Sequence, residues 1–348
     1  MTNPLAADLD CILASTSELW EELRSQRLFI TGGTGFLGRW LLESFVWAND
    51  KLRLNATALV LSRNLDAFSK QAPHLATHQA IQLQQGDVRG FEFPQGNFSH
   101  VIHGATEASA KLNRDEPLLM LDTIVQGTRQ TLEFARCCGA KKFLLLSSGA
   151  VYGKQPPEMT HIPEDYAGAP DTMNPQAAYG EGKRLAELLC AVYARNYGIE
   201  AKIARGFAFV GPHLPLDTHF AIGNFIRDGL KGSAIQVGGD GTPYRSYLYA
   251  ADLAIWLWTI LFQGESCRPY NVGSDEDITI AGLAKVVASC FQPEPEVRIA
   301  KEAVSKSAER YVPSIQRAVS ELHLRPVVDL QESIKRTITW ITGGDSGC

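Results

Sequence analysis

Short runs of consecutive apolar residues alternate, over the first 205 positions, with longer stretches in which apolar residues recur every three or four places. The first run, Arg27-Leu28-Phe29-Ile30-Thr31, leads through a glycine-rich turn into an amphipathic stretch from Phe36 to Trp47. Further β-rich runs lie at Ala56–Ser62, Ile81–Leu83, Val101–His103, Phe143–Ser147 and Ile199–Arg205. Helical periodicity covers Leu118–Cys138 and about Gln176–Tyr197. Strands that are apolar throughout are buried on both faces, which requires a parallel sheet with helices on either side. The expected fold is α/β, a doubly wound parallel sheet that binds ligands beyond the carboxyl ends of its strands.

After Gly211-Pro212 the loops lengthen and glycines cluster, as in Gly238-Gly239-Asp240-Gly241. A smaller second domain is expected there. The division predicted is 1–205 for the sheet domain, with 246–275 returning to it, and 206–348 mainly for substrate binding. Residues 5–25 read as a helical segment of no evident purpose, and Gly343–Cys348 as a frayed tail.

Composition narrows the class. The chain has 348 residues, 45% hydrophobic and 20% charged, with 33 basic against 38 acidic side chains and a net charge of −5. At about 150 residues per domain this accommodates two domains, with ample apolar content for a core. The mild acidity argues against nucleic-acid or anionic-membrane partners, which select basic patches. The longest apolar run, Leu253–Phe262, is about half of the ~20 residues needed to cross a bilayer. Met1-Thr2-Asn3-Pro4 shows no basic region leading into an apolar stretch, so a secretory leader is not expected. The seven cysteines (Cys11, Cys137, Cys138, Cys190, Cys267, Cys290, Cys348) form no C-x-x-C pair. No metal is expected, the vicinal Cys137-Cys138 is read as packing, and the usage suits a reducing cytoplasm.

Candidate chemistry begins at Thr31-Gly32-Gly33-Thr34-Gly35-Phe36-Leu37-Gly38, which follows a strand and opens a helix. Gly32 permits a tight turn, Gly35 lets backbone approach a pyrophosphate, and Gly38 lets helix and strand pack closely. Phosphate then meets the N–H groups and positive dipole end of the helix. In this strand–turn–helix context the pattern reads as a dinucleotide site on a Rossmann-like domain rather than a plain turn. The second strand ends Leu61-Ser62-Arg63-Asn64, without the carboxylate that usually accepts from an NAD ribose. Arg63, beside Ser62, would suit a 2′-phosphate, so NADP is favoured over NAD. Asp87-Val88, after Gly86, falls where an adenine amino group would pass. After the fourth strand, in Ala105-Thr106-Glu107-Ala108-Ser109, Ala105 is a candidate cofactor contact and Glu107 faces the expected cleft. Glu107 there is read either as an acid/base group contacting substrate or as a solvated carboxylate.

Tyr179-Gly180-Glu181-Gly182-Lys183 sets a phenol and an ammonium at i and i+4 on one helical face. A free tyrosine, with a pKa of ~10, is a poor base at neutral pH, and a nearby cation is expected to lower that value. Ser148, after the fifth strand, would present its hydroxyl at the sheet edge where the ligand lies.

With these residues in place, the chain resembles extended short-chain dehydrogenases/reductases of the nucleotide-sugar epimerase/dehydratase group. The motifs are TGGTGFLG at Thr31–Gly38, GDV at Gly86–Val88, SSGAVYG at Ser147–Gly153, YGEGK at Tyr179–Lys183 and GGDGTPYRSYLYAADLA at Gly238–Ala254. NVGS at Asn271–Ser274 and YVPSIQRAVSELHLRP at Tyr311–Pro326 fit less specifically. The resemblance implies a nicotinamide cofactor, Tyr179 as base assisted by Lys183, Ser148 orienting a sugar hydroxyl, and Arg245 on the diphosphate of a nucleotide-diphosphate sugar. It also implies a homodimer through two long helices, about 117–138 and 176–197.

Two departures stand out. Ala208 replaces the Asn usual in R-x-x-N-x-x-G-P, for which Asn224 is either a substitute or a helix cap. Gly149-Ala150 stand where 4,6-dehydratases carry Asp-Glu. A site without that pair lacks the acid and base for eliminating water, and small residues there would leave room for a ketone to turn. Epimerisation through a 4-keto sugar is therefore expected, with dehydration or decarboxylation as alternatives, and Glu107 or Glu164 as groups that could restore acid/base chemistry. A non-catalytic dinucleotide-binding protein is the remote alternative. His213 and His219, flanking Asp217, read as surface or substrate-pocket residues rather than metal ligands. Trp256 and Trp258 read as core.

Overall fold

The computed structural model describes residues 3–106, 109–218, 220–302 and 308–343. Seven strands form one sheet: β1 (Arg27–Thr31), β2 (Thr57–Ser62), β3 (Ile81–Gln85), β4 (His100–His103), β5 (Lys142–Ser148), β6 (Glu200–Gly206) and β7 (Pro269–Val272). Their order is β7-β6-β5-β4-β1-β2-β3, and every neighbouring pair is parallel. Central strands are buried nearly throughout, whereas β3, with Gln82, Gln84 and Gln85, takes an edge where Gln82 and Gln85 are exposed. The order reverses at β1, which lies between β4 and β2, so a crevice opens beyond their carboxyl ends.

Five long helices organise the faces: α1 (Ala6–Thr16), α2 (Phe36–Leu52), α3 (Pro117–Cys137), α4 (Ala178–Tyr197) and α5 (Ala250–Gln263). One core cluster joins α2 and α5 to the sheet, and a second joins α3 and α4 to its other face. α3 starts at a proline, where no N–H partner is needed, and α4 stops at Gly198 with φ +70. Before α4, Pro175–Ala177 makes a 3₁₀ turn with Asn174 accepting from the Gln176 N–H. The α-helix thus begins at Ala178, later than the periodicity suggested, and Tyr179 falls in its first turn.

α5 is buried from Ala250 to Phe262, including Trp256 and Trp258. A helix apolar on every side must be covered on every side. The amino-terminal segment supplies the missing cover. Leu9, Ile12, Trp20 and Leu23 join its core, and the Trp20 ring centroid lies 4.7 Å from that of Trp258. The Tyr249 hydroxyl, just before α5, donates to Asp8 Oδ2 at 2.5 Å, and Arg336 donates to Oδ1 at 2.8 Å.

The second half of the chain builds a separate core from helices Ala221–Leu230, Ile280–Ala288 and Leu330–Thr342 over the parallel pair Ile235–Val237 and Val297–Ile299. A small three-stranded sheet sets Tyr244–Arg245 between Ile278–Thr279 and Arg310–Tyr311. Among the described residues, no helix is long and apolar enough to cross a membrane, and no group of three or more His, Cys, Asp or Glu side chains could hold a metal ion. Of the vicinal cysteines, Cys138 is buried against the Phe98 carbonyl and Cys137 is exposed.

Candidate active site

The glycine loop packs backbone on backbone. A Cβ on Gly32, whose φ is +73, would lie 2.4 Å from the Gly104 carbonyl carbon. One on Gly38 would lie 2.2 Å from the Gly32 oxygen. Gly35 differs: its nearest neighbour would be 3.6 Å away, and the residue is exposed. It caps α2 with no side chain bonded to the helix start, so the first N–H groups face an open cradle. That arrangement fits the diphosphate of a dinucleotide. Thr34 Oγ1 lies 3.5 Å from Ser62 Oγ at one side of the cradle, and the Ala105 N–H donates to Thr31 Oγ1 at 3.2 Å on the other.

At the end of β5, Ser148 is buried, and its Oγ accepts from the Ala150 N–H at 3.2 Å. α4 faces it. The Tyr179 N–H donates to Asn113 Oδ1 at 3.0 Å, which fixes the first turn. The Lys183 ammonium is buried, donates to the Leu146 carbonyl at 2.8 Å and to Thr106 Oγ1 at 3.2 Å, and lies 5.9 Å from the Tyr179 ring centroid. Burial lowers its pKa to about 8, against the opposing pull of the Glu187 carboxylate. Burial raises the Tyr179 phenol above its usual value, and contact with the Ser148 hydroxyl works the other way. The lowering expected from Lys183 is therefore not found: desolvation raises the phenol, and the ammonium donates to Leu146 and Thr106 instead.

The family profile described as "NAD dependent epimerase/dehydratase family" matches residues 28–273. The chain belongs to this family. It is 31% identical over 318 residues to UDP-glucuronic acid decarboxylase 1 of Danio rerio, covering 91% of this chain and 73% of that protein. Against UDP-glucuronic acid decarboxylase 6 of Arabidopsis thaliana it is 30% identical over 310 residues, covering 89% and 87%. The fold matches a UDP-glucose 4-epimerase from Thermotoga maritima (TM-score 0.75, 21% identity, 91% and 99% covered). It also matches the dTDP-glucose 4,6-dehydratase DesIV from Streptomyces venezuelae (TM-score 0.76, 22% identity, 91% and 97% covered). The chain is thus an enzyme of the NAD-dependent epimerase/dehydratase family.

Within this family framework, the residues expected from sequence fall into three groups. Gly32, Thr34, Gly35, Phe36, Leu37, Gly38, Ser62 and Ala105 line or support the cradle, with Phe36 and Leu37 packed half-buried against the core. Val88 is buried, and a Cβ on Gly127 of α3 would lie 2.8 Å from it. Asp87 is held by Arg89, which donates Nε at 2.9 Å and Nη2 at 2.8 Å. Those bonds bring its pKa down to about 2, and the charge of exposed Arg63 adds to the effect. Arg245 reaches the Ser148 end indirectly. It pairs in register with Tyr311, its guanidinium carbon lies 6.0 Å from that ring centroid, and it donates to Glu309 at 2.8 Å.

Other expectations are corrected. Asn224 caps nothing: its helix starts after Phe220, and its Oδ1 accepts from Arg227 at 3.1 Å. Glu164 is buried with Oε1 accepting from the Asn271 N–H at 3.0 Å, so β7 holds it. The His213 side chain is not on the surface. It is buried between Trp40 and Trp340 with Glu43 Oε1 4.0 Å away, while Asp217 pairs with Arg227. Glu107 and His219 lie outside the described residues.

Sequence reasoning missed two aromatic residues. A Cβ on Gly149 would lie 2.7 Å from both the Tyr311 hydroxyl and the Phe207 ring, whose centroid is 4.7 Å from that of Tyr311. The room expected beside Gly149 is therefore filled by side chains from two distant parts of the chain. Their one sequence signal was that Phe207 lies in the R-x-x-N-x-x-G-P stretch, Arg205–Pro212, and that Tyr311 opens Tyr311–Pro326.

Behind the cradle, His103 bridges Thr31 Oγ1 at 2.7 Å and Thr128 Oγ1 at 3.1 Å. Burial, then the Lys183 charge, push its pKa down to about 3. In the unfolded chain it titrates near ~6.5. The unfolded state binds more protons between these values, so this contribution to stability is intact above pH ~6.5 and is lost as the pH falls toward 3. From pH 7 to pH 5 the loss due to His103 should be ~2 kcal/mol. Urea unfolding across that range measures it, and the slope should flatten in His103→Gln; an unchanged slope contradicts the assignment.

Proposed function

We propose that the chain oxidises the C4 hydroxyl of a nucleotide-diphosphate sugar and uses the resulting ketone to release carbon dioxide from a C6 carboxylate. The observation that carries the oxidation step is the convergence of Ser148, Tyr179 and Lys183 at the carboxyl edge of β5, beside the glycine cradle. Ser148 orients the reacting oxygen, and Tyr179 takes its proton. Lys183, held by Leu146 and Thr106, supplies the fixed cation. A nicotinamide dinucleotide in the cradle supplies the hydride acceptor and, when oxidised, a positive charge that favours the Tyr179 phenolate.

Decarboxylation is favoured because it asks little more of the protein. With a ketone at C4, the C5–C6 bond breaks, its electron pair moves toward the carbonyl, carbon dioxide leaves, and C5 takes a proton; return of the hydride to C4, with the Tyr179 proton going back to the oxygen, then gives the pentose. No base is required at Gly149-Ala150. The similarity to UDP-glucuronic acid decarboxylases supports the same reading. Epimerisation at C4 is the second reading. It shares the first step and needs no proton-transfer group beside Ser148, but the sugar must turn in a space that Phe207 and Tyr311 narrow.

Two finer assignments accompany this proposal. NADP is preferred over NAD, because β2 ends in Ser62-Arg63 without a carboxylate. The active species is a homodimer. Leu185, Leu188 and Val192 expose 40%, 57% and 42% of their surface on α4, at spacings that align them in one stripe.

The tests are direct. Incubated with UDP-glucuronic acid, UDP-glucose and UDP-galactose, the enzyme should convert the first to a UDP-pentose with loss of carbon dioxide, read by mass spectrometry. Tyr179→Phe should lower turnover by ~10²–10⁴-fold while still binding cofactor. A C4 epimer of unchanged mass supports the second reading, and no turnover of any nucleotide sugar overturns both. In calorimetry, Arg63→Ala should weaken NADP and spare NAD; equal effects overturn the preference. Leu188→Glu should shift the mass measured by light scattering from dimer to monomer, and an unchanged mass places the interface elsewhere.

A further inference from the structure

α4 carries a third polar side chain in line with the two already described. Tyr179, Lys183 and Glu187 are spaced by four residues, so each step rotates only about 40° around the helix axis. Each meets a different residue at the end of β5. Tyr179 faces Ser148, Lys183 donates to the Leu146 carbonyl at 2.8 Å, and the Ser147 hydroxyl donates to Glu187 Oε1 at 2.5 Å.

Glu187 is itself fixed from the far side. Arg205 of β6 donates Nε to Oε1 at 3.0 Å and Nη2 to Oε2 at 2.7 Å, a two-pronged grip with both side chains only 12–13% exposed. The remaining Arg205 nitrogen, Nη1, donates to the Tyr152 hydroxyl at 2.8 Å and the Glu164 carbonyl at 3.0 Å. Tyr152 donates onward to Asn271 Oδ1 of β7 at 2.7 Å. Stability alone does not account for such a pair, because apolar replacements of buried ion pairs are often neutral or stabilising. What an apolar pair could not do is receive the Ser147 hydroxyl.

We propose that Glu187 is a positioning residue for the reaction: gripped by Arg205, it holds Ser147, and through the backbone Ser148, in register with Tyr179 and Lys183. This rests on the oxidation step proposed above. Its charge also favours the ammonium form of Lys183. The other titratable neighbours of that ammonium are Tyr179 and Cys190 on α4 and His103 on β4. Those facing Glu187 are Arg205 and, more remotely, Tyr152 and Cys190.

Glu187→Gln tests the proposal in the full-length enzyme. It should bind NADPH as wild type does and keep KM for the nucleotide sugar within a few-fold, while kcat falls about tenfold to a hundredfold. The charged form of Lys183 is lost as pH rises through its pKa, and removing Glu187 lowers that pKa, so the alkaline limb of kcat should move to lower pH. Glu187→Asp keeps the charge and should restore the limb without restoring kcat in full. Should Glu187→Gln fold poorly, the double variant Glu187→Met/Arg205→Met removes both charges. It should retain the fold by thermal melting and still lose kcat. Wild-type kcat in either folded variant overturns the proposal.

The proposal is separable from the sugar chemistry. If wild type turns over no nucleotide sugar, the oxidation reading fails, and Lys183 can still be followed by the pH titration of its side-chain NMR signal, assigned through Lys183→Arg. A lower midpoint in Glu187→Gln supports the coupling of Glu187 to Lys183, and an unchanged midpoint overturns it.

Discussion

Three backbone segments meet without side chains between them at the carboxyl end of β1. Gly32 presses on Gly104, and Gly38 presses on Gly32, at separations that no Cβ would tolerate. The rest of the site depends on that contact. It brings the start of α2 down onto the sheet edge, so that Gly35 opens between Ser62 on one side and Ala105 on the other. It also sets β4 beside β1, with the Gly104 N–H donating to the Thr31 carbonyl at 3.0 Å, and the loop after β4 carries Thr106 to the Lys183 ammonium. A side chain at Gly32 or Gly38 would lever α2 away and disturb the cradle and the Lys183 anchor together.

From that edge inward, the seam between α4 and the strands β4, β5 and β6 is largely buried, and desolvation governs its electrostatics. It keeps His103 neutral, brings Lys183 to a pKa of about 8 and holds Tyr179 in its phenol form. Such a seam responds strongly to any charge added to it, because there is little water to screen the interaction. The Glu187–Arg205 pair sits in the same seam as a matched charge couple, so it can orient Ser147 without leaving net charge beside the reacting groups.

The second half of the chain closes the site from above. Phe207 follows directly on β6, and Tyr311 arrives on a strand paired in register with Arg245. Both converge on Gly149, which explains a glycine at the position following Ser148: the space its side chain would take is already occupied. This crowding bears on the ketone proposed to form at Ser148, and it supports the proposed loss of carbon dioxide over a reaction in which the ring must turn over.

The amino-acid sequence by itself determined six of the seven strands, their parallel arrangement, the glycine cradle and the Tyr179–Lys183 pair, whereas the β7 strand and the approach of Ser148 to that pair came with the fold. The features legible in the sequence depend on residues close in the chain: a run of apolar positions, three glycines within seven residues, or a four-residue step on one helix. The tertiary structure alone decided the features built from distant residues. Phe207 and Tyr311 meet at Gly149 across more than a hundred positions, and Arg205 reaches Glu187 and Ser147 across two strands and a helix. It also decided what a residue type left open. His213 proved buried against tryptophans, Asn224 engaged by Arg227, and the amino-terminal helix a cover for α5. Local spacing is imposed by helix and strand geometry and can be read along the chain. Long-range contacts, and the desolvation that raises Tyr179 rather than lowering it, arise only when packing closes the chain on itself and excludes water.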